Sequence, residues 1–333
     1  MEATGGGRTR AWGRARLERI DRWQQRRRGV SFLVAVVERY WEDRGRQYGA
    51  LLSYYGFVSL FPLLLVLVTV LGIVLDDDPD LRNRILDTVY ATIPVVGAQL
   101  RQSTTSLNSS GFVLLAGLLV TLWAGLAVVK HAQDALNLQW GVPRFQRPGL
   151  VARSVRALGA LAVVGVGVVV ATAATSLAAF LPDLPLAGRV LGALGAILVN
   201  VLVLTVSYRV LVHADVGWRA LVPGGVVGGV ALWVLQLIGA TYVTRVIVGA
   251  SDVYGAFATM FGLLVWIALL ARAMLLASEV NVVRAKRLWP RSLRWSAPTD
   301  ADRRALEETV QREMYQDPAL LDRGASVAGT RPE

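Results

Sequence analysis

Six stretches of the chain contain no Asp, Glu, Lys or Arg, and each runs 19 to 25 residues: Leu51–Leu75, Gly111–Val129, Ala157–Leu181, Val190–Tyr208, Ala220–Thr244 and Val253–Ala271. As helices they measure about 28 to 37 Å, against a bilayer hydrocarbon core of about 30 Å. A buried helix of a soluble protein keeps a polar face, and these stretches have none. The whole chain agrees, with 54% hydrophobic and 18% charged residues against roughly 25% charged in soluble domains. The expected fold class is therefore all-α: a polytopic transmembrane bundle of six helices, with interfacial amphipathic helices beside it. The first stretch is expected to stay in place as a membrane helix. Fifty residues precede it, and it exceeds the roughly 7 to 15 residues of a signal-peptide core.

The chain has no Cys and only two His, His131 and His213. Thiol chemistry and Cys-ligated zinc are excluded, and a multi-histidine metal centre is not expected. The sequence has no P-loop, GxSxG or HExxH motif. Neither catalysis nor a cofactor is expected.

The net charge of +11 comes from 35 cations, 33 of them Arg. Their placement carries the orientation. Segments 1–50, 130–156, 209–219 and 279–333 hold 29 of the cations, and the alternate loops hold five. By the positive-inside rule both termini are expected in the cytoplasm. Residues 1–29 form an Arg-rich arm, 30–290 the membrane domain, and 291–333 a cytoplasmic tail, partly disordered after a short helix over 299–316 with Leu306, Val310 and Met314 as its stripe. Nine arginines with Trp12 and Trp23 between Arg8 and Arg28 suit anionic inner-leaflet headgroups; nucleic acid is not the expected partner. The apolar run at 30–37, followed by Tyr40 and Trp41, reads as a helix lying in the interface. In the long outer loop, Asp76, Asp77, Asp78 and Asp80 precede a four-residue period through Leu81, Ile85, Val89 and Ile93, which predicts an amphipathic helix.

The intramembrane polar residues are the candidates for a transport path or polar core. Asn200 and Gln236 lie within the fourth and fifth stretches, where an amide must face other helices or a wet cavity. Arg272 closes the sixth; it is either a functional intramembrane charge or a side chain reaching back to headgroups. Glu279 lies seven residues on, on the same helix face and about 10 Å along the axis. Small residues cluster as well: Gly188, Gly192 and Ala196 lead to Asn200, Gly224/Gly228 and Gly225/Gly229 overlap as two GxxxG patterns, and Gly255, Thr259 and Gly262 share a face with Trp266. Such faces serve close helix packing, or flexibility for alternating access.

Four blocks resemble the YihY/virulence factor BrkB family of bacterial inner-membrane proteins. They are Ser53-Tyr54-Tyr55-Gly56-Phe57-Val58-Ser59-Leu60-Phe61-Pro62-Leu63; Ala135-Leu136-Asn137 with Trp140-Gly141-Val142; Gly217-Trp218 through Pro223-Gly224; and Tyr254-Gly255 through Trp266 to Glu279-Val280-Asn281. Ala277-Ser278 stand where the family pattern has Gly-Ala. The resemblance implies six membrane helices with cytoplasmic ends. It implies a link to envelope integrity, with transport or flipping of lipid or another envelope component as the leading expectation. A non-transporting scaffold is the alternative, and a membrane-tethered ribonuclease, the family's former label, is a distant third. Oligomeric state is not legible.

Overall fold

The computed structural model describes residue 16 and residues 18–74, 111–179, 185–242, 256–293 and 297–314. The expected outer helix at 81–93 and its Asp cluster lie outside the described residues, as do Tyr254 and Gly255. Long helices run through the described parts of the six uncharged stretches: α2 (Gly45–Val74), α3 (Gly111–Gln139), α4 (Leu150–Ala179), α5 (Pro185–Leu211), α6 (Trp218–Tyr242) and α7 (Ala256–Lys286). They follow α1 (Arg28–Glu42) and precede α8 (Asp300–Met314). By length and composition, four carry a membrane-crossing window among the described residues: Leu150–Gly167, Val190–Leu211, Trp218–Gly239 and Met260–Lys286.

Each long helix packs on its neighbours in sequence, and α7 returns to α2, so the six close into a ring. Adjacent members run antiparallel. Gly167 meets Val203 and Gly159 meets Val210 between α4 and α5, while Gly56 meets Ile267 and Gly49 meets Arg272 between α2 and α7. The overlapping glycine patterns of α6 face two different helices. Gly225 and Gly229 lie on Thr205 and Val201 of α5, whereas Gly224 and Gly228 lie on Ala277 of α7. Small residues serve here because lipid gives no hydrophobic drive between helices, so association depends on backbone approach and van der Waals contact.

Helix ends differ from the uncharged stretches where the chain leaves hydrocarbon. Helix α7 runs 15 residues past Ala271, about 22 Å. Charge ends a membrane span but does not end a helix, and Glu279, Arg284 and Lys286 are accommodated outside the ring. Helix α3 stops in a Schellman turn: Val142 N–H donates to Asn137 O at 2.8 Å, Gly141 N–H to Leu138 O at 3.0 Å, and Gly141 takes φ 75°, a conformation that costs glycine little. Arg44 after α1 and Arg287 after α7 hold the same left-handed conformation without that freedom.

The described cores gather at the end of the ring that bears both termini. Leu136, Ala157, Tyr208, Val212 and Leu221 form one. Ala35 and Val36 of α1 pack with Val280, Val283 and Ala305 in another, which docks α1 and α8 on the extended part of α7. The α8 helix starts with a capping box: Asp302 N–H donates to Thr299 Oγ1 at 3.2 Å, and Thr299 N–H to Asp302 Oδ2 at 2.8 Å. Its expected apolar stripe does not dock. Leu306 and Val310 are 63% and 45% exposed, and the inward face is Ala301, Ala305 and Arg312.

Candidate functional site

The four sequence candidates fall in three places. Asn200 and Gln236 meet: the α5/α6 contact brings Asn200 Nδ2 to 3.4 Å from Gln236 Oε1, and the pair is exposed in the structure. Arg272 is exposed beside Gly49, its Cγ 3.4 Å from where a β-carbon of that glycine would stand. Gly49 is five residues into α2, so Arg272 sits at the terminus-side rim of the ring. Glu279 belongs to the layer beyond the rim and is fully buried.

That layer is a network of buried charge joining segments at opposite ends of the sequence. Arg39 of α1 is completely buried; its Nε lies 2.8 Å from Asp43 Oδ2 and its Nη2 3.2 Å from Glu308 Oε2. Arg312 of α8 donates to Asp43 Oδ1 at 2.5 Å, to Leu138 O at 3.0 Å and to Thr309 Oγ1 at 3.2 Å. Lys286 bridges Glu308 and the Trp140 carbonyl at 3.1 and 3.2 Å. Arg291 takes Glu42 at 2.5 Å, Asp302 at 2.6 Å and Glu38 at 3.5 Å. Glu279 stands among Arg39, Arg312, Asp43 and Gln139. The Gln139 amide donates to Leu275 O at 3.2 Å.

Burial sets the titration behaviour. It is the largest influence on Glu38 and raises its carboxyl from 4.5 to about 7; Arg291 opposes the rise, while Asp302, Glu42 and Asp21 add to it. Burial likewise holds the His213 imidazole below its ordinary range, helped by Arg156, Arg147 and Arg153.

The residues carrying the family resemblance are mostly stitches around this end. Asn137 is 2% exposed; its Nδ2 donates to Gln133 O at 2.7 Å, and His213 N–H donates to its Oδ1 at 2.8 Å. Asn281 Oδ1 accepts from Gly224 N–H at 2.6 Å, one residue after Pro223, which sits inside α6 and cannot donate. Ala277, one of the two departures from the pattern, packs against Gly228. Tyr55 stacks on His131 at 4.6 Å and on its other side meets Tyr54 edge-on at 5.2 Å. Ser59 Oγ donates to Gly56 O at 2.8 Å. Phe61 and Pro62 lie in α2, Trp218 opens α6 and is exposed, and the Trp266 ring packs on Gly239. Both histidines therefore have structural neighbours, and among the described residues no group of three His, Cys, Asp or Glu stands together to hold a metal ion.

Sequence reasoning singled out Glu279 but not Arg39, Asp43, Glu308 or Arg312, which surround it or join the same network. The available signal was Arg39-x-x-Glu42-Asp43 in one short segment, a cation with acids at i+3 and i+4.

A ring of long apolar helices capped by a buried ionic layer is the architecture of a polytopic membrane protein. The chain belongs to the Virulence factor BrkB family, whose model matches residues 36–300. It is 30% identical to the inner membrane protein YhjD of Escherichia coli (strain K12) over 118 residues, 34% of this chain and 35% of that one. It is 30% identical to the UPF0761 membrane protein Smlt0865 of Stenotrophomonas maltophilia (strain K279a), over 79% of this chain and 62% of the relative. A Bacillus subtilis (strain 168) relative named putative ribonuclease-like protein YfkH is 23% identical over 78% of this chain and 96% of its own length. The alignments thus span from about a third to under two thirds of the length of the first two of these relatives. No solved structure matches the chain.

Proposed function

We propose that this chain is a transport-type protein, not an enzyme, that translocates or flips an amphiphilic, anionic envelope component. In this reading six helices cross the cytoplasmic membrane and both termini lie in the cytoplasm. The Arg-rich arm at 1–29 rests on anionic headgroups. Helix α1 lies in the interface, because Leu33, Val37 and Trp41 form an exposed apolar stripe opposite its docked face.

The observation that carries the reading is the Asn200–Gln236 pair. Two amides from neighbouring membrane helices meet on a face that the described residues leave open. An amide left unsatisfied in hydrocarbon costs several kcal/mol, so such a face suits passing water or a polar headgroup. The test uses the full-length protein in liposomes of phosphatidylethanolamine, phosphatidylglycerol and cardiolipin, with fluorescent lipid analogues and an impermeant quencher. Protein-dependent flipping that slows in Asn200→Leu and Gln236→Leu is expected. No acceleration for any of the three lipid classes would remove lipid flipping. Unchanged envelope phenotypes in both variants would then favour the scaffold reading.

A further inference from the structure

A cavity of about 420 Å³ opens at the terminus-bearing end, where the starts of α2 and α4 meet α3 and α8. Four guanidinium groups line it, from Arg44, Arg147, Arg153 and Arg312, against two carboxylates, Glu42 and Asp134. Four cations less two anions leave +2. The carboxylates are already engaged. Asp134 takes Arg147 at 3.1 Å and Arg153 at 2.6 Å, Glu42 takes Arg291, and Arg312 is held by Asp43 behind the wall. Arg44 has no acidic partner among the described residues.

The backbone at Arg44 is the second observation. Arg44 follows the C-cap of α1 with φ 58°, the position where a helix ordinarily ends in glycine. Its N–H donates to Trp41 O at 3.3 Å, and its carbonyl accepts from Gln47 and Tyr48 at 2.9 and 3.1 Å, so the conformation is held from both sides. A residue with a β-carbon pays for that conformation, and the neighbouring glycine cannot take its place. Gly45 is needed where it is, because any side chain there would run into the Tyr40 ring. Arg44 is therefore an exposed arginine at a strained position that lines the cavity with three more.

We infer that this cavity is a binding site for a phosphate group, in which Arg44 is the cation the ligand completes. Guanidinium forks match phosphate oxygens in pairs. The volume exceeds one phosphate and suits a phosphorylated small molecule or a lipid headgroup. The site is separate from the Asn200–Gln236 face and does not depend on transport.

The test follows thermal unfolding of the full-length protein by its tryptophan fluorescence. One arm titrates inorganic phosphate, at constant ionic strength against chloride, into protein in phosphatidylcholine nanodiscs. The other compares those nanodiscs with mixed phosphatidylcholine and phosphatidic acid nanodiscs. Arg44→Gly and Arg44→Asn both suit the left-handed position, so each folds at least as stably as the parent while lacking the charge. A phosphate-dependent rise in the midpoint, about tenfold weaker in affinity in both variants, supports a free phosphate ligand. A rise seen only with phosphatidic acid, and lost in the variants, supports a lipid headgroup. No response in either arm, or an equal response in parent and variants, overturns the proposal.

Discussion

Arg312→Ala tests whether the buried ionic layer holds the two ends of the chain together. The substitution removes the contacts to Asp43 Oδ1, Leu138 O and Thr309 Oγ1. Asp43 has no exposed side-chain surface while Arg312 is in place. Removing one partner of a buried pair costs about 3–5 kcal/mol. Arg39 remains 2.8 Å from the other Asp43 oxygen, which places the pair at the low end, and the Leu138 carbonyl keeps the Gly141 N–H at 3.0 Å. The expected loss is therefore about 3 kcal/mol. The measurement is urea unfolding of the full-length protein in mild detergent, with Asp43→Asn and the double variant completing a cycle. A coupling of about 1–3 kcal/mol is expected for residues in direct contact. A loss below about 1 kcal/mol, the size of an exposed ion pair, would refute the buried reading; so would additive single substitutions.

Glu38 gives a pH signature. Its carboxyl is raised from 4.5 to about 7 in the folded protein, so the folded state binds the proton more tightly. Stability is fullest below about pH 4.5 and falls as pH rises toward 7. With the side chain 29% exposed, solvent screening reduces the effect to about 1–2 kcal/mol. Glu38→Gln should remove this slope and gain that amount at pH 8; an unchanged difference between parent and variant from pH 4.5 to 8 would count against it. Gly229→Ala puts a methyl 2.8 Å from the Val201 backbone nitrogen and should cost about 1–3 kcal/mol, whereas Gly195→Ala, with nothing within 4 Å, should be neutral or gain about 0.5–1 kcal/mol. Equal effects would contradict the close α5/α6 contact. For orientation, Phe145→Cys at the exposed turn Arg144–Gln146 should react with an impermeant maleimide only after permeabilisation, and Asp77→Cys in intact cells; the reverse pattern would invert the topology.

The membrane helices were legible because crossing hydrocarbon is a one-dimensional requirement. About twenty consecutive residues must do without charge, whatever surrounds them, and any reader of the sequence can count them. The glycine patterns of α6 were legible for a similar reason, since helical periodicity alone puts Gly224 with Gly228 and Gly225 with Gly229 on adjacent faces. Which helix each face meets was not, because that depends on how the ring closes. The same holds for the candidate polar residues. Asn200 and Gln236 were found by their rarity in apolar stretches, but their meeting required the α5/α6 register. Arg272 was placed at the end of the sixth run by position alone, but its neighbour Gly49 depends on the α2/α7 register.

The charged end was hidden for a physical reason. Outside the apolar stretches, a sequence full of Arg and Asp reads as a solvated surface, and Arg39, Asp43 and Arg312 look no different from the other charged residues there. Arg312 and Asp43 are 269 positions apart. They meet because α7 continues past the membrane and gives α1 and α8 a common surface on which to dock. Sequence by itself determined where the chain enters and leaves apolar surroundings, since that is fixed by transfer free energy summed along a segment. Tertiary structure alone decided which charges were taken out of water, since burial depends on neighbours brought from elsewhere in the chain. It also decided that Arg44, one basic residue among 35 cations, lines a cavity without an acidic partner among the described residues.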